Sequence, residues 1–404
     1  MNAPDILDSR YSWFRLGITL LIAMIGNVGM WAVIMILPAV QSEFGIERAD
    51  ASLPYTLTMI GFAVGNVVIG RAVDRFGVTW SLIGAAIVTA AGFVVSAFSG
   101  SIFYLSAIHL ILGFGASASF GPLIADISHW FLRRRGIAVA IAACGNLLSG
   151  AIWPVALSGV LADQGWRAVY FTLAALTVAI IVPAALFLRR RVPVEATDAA
   201  DQDSQRRAQA VLFSPRVLVA LLGVAGIGCC VAMSMPQVHI VAFSVDLGYG
   251  PTVGAEMLAL MLMGGVVSRL ISGMVADRLG GVVTLLIGST LQCIALFFYL
   301  PFDGMVSLYV ISLIFGLSQG GIVPSYALIV REYLPARDAG RLVGFVIMTT
   351  ILGMALGGWM SGWIYDQTGS YQMAFLNGIG WNILNIAIIG MILFTTRRRL
   401  AALV

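Results

Sequence analysis

Apolar residues fall in twelve long runs separated by short polar loops. The runs cover roughly 15–38, 52–70, 79–98, 102–124, 137–160 and 168–188, then 217–244, 253–276, 282–300, 305–330, 341–363 and 373–396. At 1.5 Å per residue, a helix over each run crosses about 30 Å of bilayer hydrocarbon. The pattern therefore predicts an all-α membrane protein of 12 transmembrane helices. One polar stretch, residues 189–216, carries Glu195, Asp198, Asp201, Asp203, Arg206 and Arg207 and divides the runs six and six. It reads as a solvated linker between domains. The expected organisation is a six-helix bundle in 1–188, a cytoplasmic linker in 189–216 and a second six-helix bundle in 217–404.

The two halves repeat. Gly70-Arg-Ala-Val-Asp74-Arg75-Phe-Gly77 follows the second run, and Gly273-Met-Val-Ala-Asp277-Arg278-Leu-Gly280 follows the eighth, 203 residues later. The same offset carries Gly113 onto Gly316, Gly150 onto Gly353, and Asp163-Gln164 onto Asp366-Gln367. A repeat that coincides with the six-plus-six division implies two bundles of one topology, related by a pseudo-two-fold axis along the membrane normal.

Composition narrows the function. Hydrophobic residues make up 60% of the 404 positions and charged residues 10%, far from the roughly 25% charged residues of soluble chains. A water-soluble enzyme is excluded, and the basic balance belongs to membrane-flanking loops rather than to nucleic-acid binding. All 23 basic residues are arginine, so every fixed positive charge is a guanidinium that stays protonated. With the N-terminus inside, twenty of those arginines are cytoplasmic; Arg48 and Arg167 fall in outer loops and Arg269 lies within a run. The expectation is a multi-pass protein of the plasma (bacterial inner) membrane with both termini cytoplasmic. The polar stretch Met1–Arg15 lacks a cleavage-type pattern, so no removable signal peptide is expected. The four cysteines lie in apolar runs and read as small core residues. No P-loop, metal-ligand cluster or Ser-His-Asp constellation appears, so no catalytic residue, metal or cofactor is expected.

Arg269 is the sharpest candidate for chemistry. It lies near mid-depth on the eighth run, where a permanent cation costs about 2.5–3.5 kcal/mol and should face the protein interior or water. No in-membrane acid in the sequence obviously neutralises it. The economical partner is a substrate carboxylate held by the guanidinium fork; the alternative is a structural ion pair or a gate arginine. His239, on the seventh run, could take part in a proton step or be a satisfied core residue. Asn27, Asn146, Trp153, Gln319 and Tyr326 are polar or aromatic positions at mid-depth that could line a cavity, with Trp31 and Tyr55 beside them. Glu256 is expected to stand in the first turn of the eighth helix, favoured by the helix dipole. Asp126, ending the fourth run, is expected to pair with Arg71 or Arg75 at an inner gate.

The G-x-x-x-D-R-x-G loops at both repeats resemble the signature of the major facilitator superfamily, over essentially the whole chain. The resemblance implies alternating access between two bundles, with Asp74, Arg75, Asp277 and Arg278 acting as gate residues rather than substrate ligands. Within the superfamily, Trp130-Phe-Leu-Arg-Arg-Arg-Gly-Ile-Ala138, Gln237-Val-His239-Ile-Val-Ala242 and Ser268-Arg269-Leu-Ile-Ser-Gly273 are similar to the bacterial branch of the monocarboxylate transporter family, with oxalate/formate antiporters as neighbours. The animal members carry a lysine on the first span, where this chain has none. They also carry an Asp one turn before the span-eight arginine, where this chain has Gly265. What the resemblance implies is a secondary active carrier of a small monocarboxylate such as lactate, working by proton-coupled symport, with His239 as the proton-coupling candidate. Its expected partners are the organic anion, protons and the lipid bilayer, and its expected state is a monomer. The rivals are a proton-driven drug exporter, an organic-anion exchanger and a membrane sensor that binds without carrying.

Overall fold

The computed structural model describes residues 8–128, 130–131, 134–190, 214–333 and 336–402, and no strand occurs among them. The expected linker therefore lies, for residues 191–213, outside the described residues. The first half comprises α1 (Arg10–Gly26), α2 (Val28–Phe44), α3 (Arg48–Phe76), α4 (Val78–Ala97), α5 (Ile102–Ala116), α6 (Gly121–Ser128), α7 (Arg135–Leu176) and α8 (Val182–Leu186). The second comprises α9 (Pro215–Asp246), α10 (Pro251–Leu279), α11 (Gly281–Phe298), α12 (Met305–Gln319), α13 (Ile322–Tyr333), α14 (Ala336–Thr368) and α15 (Tyr371–Ala402).

Among the described residues, eleven helical stretches are long and apolar enough to cross a bilayer, and one of them, Ile137–Leu186, runs 50 residues. A straight helix of that length would be about 75 Å long, more than twice the hydrocarbon thickness. Gly165 breaks it with φ 79° and ψ 174°, a conformation open to glycine and closed to residues with a Cβ. The stretch thus folds into two crossings, and the total is twelve. The first crossing is longer than its apolar run: α1 and α2 together reach from Arg10 to Phe44, with a break at Asn27. The fourth and tenth crossings break as well, at Ser117–Ser119 and at Gly320, positions separated by the same 203 residues.

The repeat is geometric as well as sequential. The last glycine of each signature loop, Gly77 and Gly280, stands at φ 84° and φ 80°. Their N–H groups bond back to the carbonyls of Val73 (2.8 Å) and Ala276 (2.9 Å), so the two loops turn alike. Gly113 presses against the Thr58 carbonyl, and Gly316 against that of Met261, so closely that a Cβ on either would collide with backbone. Both members of the second pair are the first pair shifted by 203. Small residues let α3 approach α5, and α10 approach α12, in the manner of membrane helix pairs.

Apolar side chains such as Ile87, Val88, Phe297 and Val306 are exposed, as expected of a surface that a membrane would cover. Between the halves, Trp31, Tyr55, Met59 and Leu147 of the first half share one apolar core with Val238, Leu258 and Leu262 of the second. The seam is formed where α3 meets α14 and where α7 meets α10. Because twelve crossings return the chain to its starting side, both ends lie on one face of the bundle, called here the near face.

Candidate functional site

α10 is 29 residues long, and Arg269 stands ten residues before its end at Leu279, about 15 Å along the axis and within two turns of the helix midpoint. Its guanidinium reaches in two directions. Nε donates to the Gly320 carbonyl (3.2 Å) and Nη1 crosses the seam to the Ala143 carbonyl on α7 (2.7 Å). The tenth crossing breaks after Gln319, which frees the Gly320 carbonyl from helical bonding and makes it available to the arginine. Nη2 has no protein partner among the described residues, and no carboxylate there forms an ion pair with this side chain. Among the described residues the cation is held in place by carbonyls and meets no carboxylate, an arrangement in which an anion could serve as its partner.

One turn before Arg269, Gly265 opens the seam. A Cβ placed there would lie 3.3 Å from Leu147 Cδ1 on α7 and 3.6 Å from Gln319 Nε2 on α12. Gln319 in turn accepts a short hydrogen bond from Gln237 Nε2 on α9 (2.5 Å). Gln237 Oε1 and Gln319 Nε2 are buried without hydrogen-bond partners. On the other side of the seam, Asn146 lies one turn beyond Ala143 on α7. Its Oδ1 accepts from Trp31 Nε1 (3.0 Å), and its Nδ2 has only the Met30 sulfur at 3.8 Å. Arg269, Gln319 and Asn146, three of the residues singled out from sequence, are thus brought to the same part of the seam.

The other expected ligands make their hydrogen bonds within their own halves, although Asn27 Oδ1 is buried without a partner among the described residues. Asn27 is fully buried at the α1–α2 break, where Nδ2 donates to Ala23 O (2.7 Å) and Ser119 O (3.2 Å). Trp153 Nε1 donates to Met24 O (3.0 Å). Tyr326 donates to Asn385 Oδ1 (2.7 Å), whose amide in turn reaches Ser289 Oγ (2.7 Å), a polar knot inside the second half. His239 is fully buried, with Nε2 on the Gly358 carbonyl (2.8 Å) and Nδ1 on the Tyr371 hydroxyl (3.0 Å). A carbonyl only accepts, so Nε2 carries the proton and Nδ1 accepts from Tyr371 in the neutral ring. Both ring nitrogens are thus satisfied within the second half, by Gly358 and Tyr371 and not by Arg269.

The gate expectations change in detail. Asp126 pairs with Arg15 of α1: Nη2 lies 2.7 Å from Oδ2 and Nε 3.0 Å. Arg15 also donates to Leu188 O (3.1 Å) and lies over the Trp130 ring (4.5 Å). Neither Arg71 nor Arg75 takes the role expected of it; Arg75 is exposed and stacks on Phe76 (5.2 Å). The reason is reach: α1 brings a buried guanidinium directly beside the fourth crossing, whereas the loop arginines point to the surface. Arg278 is likewise exposed, and the side chains of Asp74 and Asp277 lie outside the described residues. Glu256 sits in the second turn of α10 rather than the first and accepts from the Tyr309 hydroxyl.

What sequence reasoning missed is a latch on the far face. Arg48, at the start of α3, donates from Nη2 to Asp246 Oδ1 (3.0 Å), and its guanidinium lies over the Tyr365 ring (4.8 Å). Asp366, at the end of α14, accepts the N–H groups of Arg48 (2.8 Å) and Ala49 (2.7 Å). The N-cap residue of α3, Glu47, makes no side-chain cap bond, so the capping carboxylate comes from the opposite half. These contacts tie the two halves and close the far face. The signal available in sequence was the repeated Asp163/Asp366 pair together with an arginine stranded in an outer loop.

Twelve crossings in two pseudo-symmetric halves, with an uncompensated cation at the seam and one face latched, define a membrane transporter rather than an enzyme. The chain belongs to the Major Facilitator Superfamily, whose profile matches residues 19–307 and again 228–403. Among curated relatives, it is 28% identical to monocarboxylate transporter 13 of Bos taurus over 330 residues, covering 79% of this chain and 75% of that one. It is 29% identical to human monocarboxylate transporter 11 over 323 residues (76% and 67%). It is also 24% identical over 386 residues to the uncharacterized MFS-type transporter YcxA of Bacillus subtilis (90% and 91%). Its fold is that of a bacterial homolog of the human lysosomal transporter Spinster in an inward-facing, unoccupied conformation, with TM-score 0.73, 12% identity and coverage of 96% and 97%. The nucleoside transporter NupG shares it too, with TM-score 0.70, 16% identity and coverage of 93% and 99%.

Proposed function

We propose that this protein is a secondary carrier of a small monocarboxylate, moving it by proton-coupled symport through alternating access. The observation that carries the reading is Nη2 of Arg269 at the seam, which among the described residues has neither a hydrogen-bond partner nor an acid to neutralise it. A carboxylate docked there would be held by a charge-assisted bond and would replace the missing counterion. Because Arg269 already bridges α10 and α7, binding at this point would be felt by both halves, which is what a rocking mechanism requires. The relatives named monocarboxylate transporters support the same class of cargo. The arginine-rich near face is the cytoplasmic one in this reading, in a bacterial inner membrane.

The test is uptake of labelled lactate into proteoliposomes with the exterior acidified. Accumulation that collapses with a protonophore and is lost in Arg269→Gln supports the proposal. Uptake unchanged by the substitution removes Arg269 from the site. Uptake that needs internal anion and ignores the proton gradient makes the protein an exchanger. Transport of hydrophobic cations with no carboxylate uptake makes it a drug exporter.

A further inference from the structure

We propose that Gln237 and Gln319 form a hydroxyl-reading subsite beside Arg269, so that the carried monocarboxylate is a hydroxy acid in preference to an oxo acid or an unsubstituted one. The inference rests on the carboxylate reading of Arg269 and specifies what else the cargo must bear.

Both side chains are almost wholly buried, at 2% and 3% exposure, yet they share only one hydrogen bond. A carboxamide brings one carbonyl oxygen and one NH2 group. Spending one group from each leaves one oxygen and one NH2 without partners, here Gln237 Oε1 and Gln319 Nε2. Turning both amides over exchanges the labels and leaves the same set: one acceptor and one donor, unpaired, on two side chains that are hydrogen-bonded to each other. A buried polar group without a partner is costly, so the pair is an unfavourable arrangement unless something completes it.

The position says what that is. Gln319 immediately precedes Gly320, whose carbonyl holds Arg269 Nε, and its Nε2 faces the gap left by Gly265, one turn from Arg269 on α10. Leu147 of the opposite half borders the same gap. A cargo whose carboxylate meets Nη2 would present its adjoining carbon substituent toward the glutamines. A hydroxyl satisfies both orphans, donating to the oxygen and accepting from the NH2. A keto oxygen can only accept and leaves the glutamine oxygen stranded. A plain methylene satisfies neither. The expected order of affinity is hydroxy acid, then oxo acid, then unsubstituted acid, since a site built to bond a hydroxyl rejects the analogue lacking it.

The test is counterflow of labelled lactate in proteoliposomes against external lactate, pyruvate and propionate. The wild type should prefer lactate to propionate by about tenfold or more, with pyruvate between. Gln237→Leu and Gln319→Met should bring the lactate and propionate constants within about twofold while propionate is still carried, which also shows that the variants are folded. Gly265→Ala, whose Cβ meets Gln319 Nε2 at an ordinary 3.6 Å and the flexible end of Leu147 at a tight 3.3 Å, should weaken lactate more than propionate and decides the matter if a glutamine variant fails to fold. A wild type indifferent among the three acids, or variants that keep its ratio, overturns the subsite and leaves the carboxylate reading intact. A wild type that carries none of the three overturns both.

Discussion

The guanidinium of Arg269 is bonded to a carbonyl in the other half of the molecule: Nη1 to Ala143 O, 2.7 Å across the seam between α10 and α7. One side chain therefore links the two bundles, and in the proposed role it also offers a nitrogen to the cargo. Arg269→Gln should lower carboxylate transport by about 100-fold or more, because it removes the charge as well as the cross-seam bond. Arg269→Lys keeps the charge but loses the planar fork that serves Gly320, Ala143 and a ligand at once. Its maximal rate should fall less than that of the glutamine variant, with a raised constant for the anion. Initial-rate uptake over a range of lactate concentrations separates the two; equal loss in both would mean that charge plays no part.

The far-face latch is predicted to set the balance between conformations. Asp366 caps α3 from the opposite half, and Arg48 meets Asp246 beside it. A cap is worth about 1 kcal/mol, and a charge-assisted bond about 1.5–3. Asp366→Asn should then shift the population away from the far-face-closed state by roughly tenfold. Spin labels at the exposed positions Glu47 and Gln367, on opposite halves, read this directly: the variant should show a longer and broader distance distribution. An unchanged distribution would leave the latch a bystander.

The Arg15–Asp126 pair should behave in the opposite way, as a structural element of one half. Arg15 is 1% exposed, and Asp126 bonds it through both oxygens. Asp126→Asn leaves a buried cation without its counterion, a change that costs about 3 kcal/mol. The expected result is a clear drop in thermal unfolding temperature with the lactate constant of the surviving protein unchanged. A stable variant with altered transport would return Asp126 to a gating role.

Glycines of similar appearance in the sequence differ sharply in what they do. Gly113 lies against the Thr58 carbonyl with no room for a Cβ, whereas Gly70, inside the signature loop, has open space around it. Gly113→Ala should force α5 from α3 and lower both expression and melting temperature, by the 1–3 kcal/mol typical of overpacking. Gly70→Ala should be tolerated in a melting experiment. Equal effects at the two sites would show that helix approach is not what Gly113 provides.

The fold was legible because bilayer thickness fixes the length of each apolar run, and because the 203-residue offset makes two halves visible without any alignment. The interior placement of Arg269 at the seam was legible for a related reason, since a cation inside hydrocarbon is too costly to face lipid. Hydrogen-bond partners were not. Whether Tyr326 points to the seam or to Asn385 depends on which face of a helix packs inward, and an all-round apolar helix gives no periodicity to tell them apart. The latch was hidden by the repeat itself. The position 203 residues after Arg48 is Pro251, which offers neither a guanidinium nor an N–H, so the second copy of the latch does not exist. Asp163, the counterpart of Asp366, is correspondingly exposed.

His239 gives the last prediction. Its ring donates to Gly358 and accepts from Tyr371, and Tyr371 in turn lies under the Arg48 guanidinium at 5.9 Å. The histidine therefore supports the aromatic floor of the far-face latch, and protonating it would require the Tyr371 hydroxyl to turn from donor to acceptor. Gln can supply one donor and one acceptor in similar positions. His239→Gln should consequently keep uptake driven by an acid exterior and keep the pH profile of the wild type, with any loss confined to the maximal rate. Uptake measured from acidic to alkaline exterior, in both proteins, reads the difference. A variant that still carries lactate but no longer responds to the proton gradient would make His239 the proton carrier, and the neutral ring seen between Gly358 and Tyr371 would then be one of two working states.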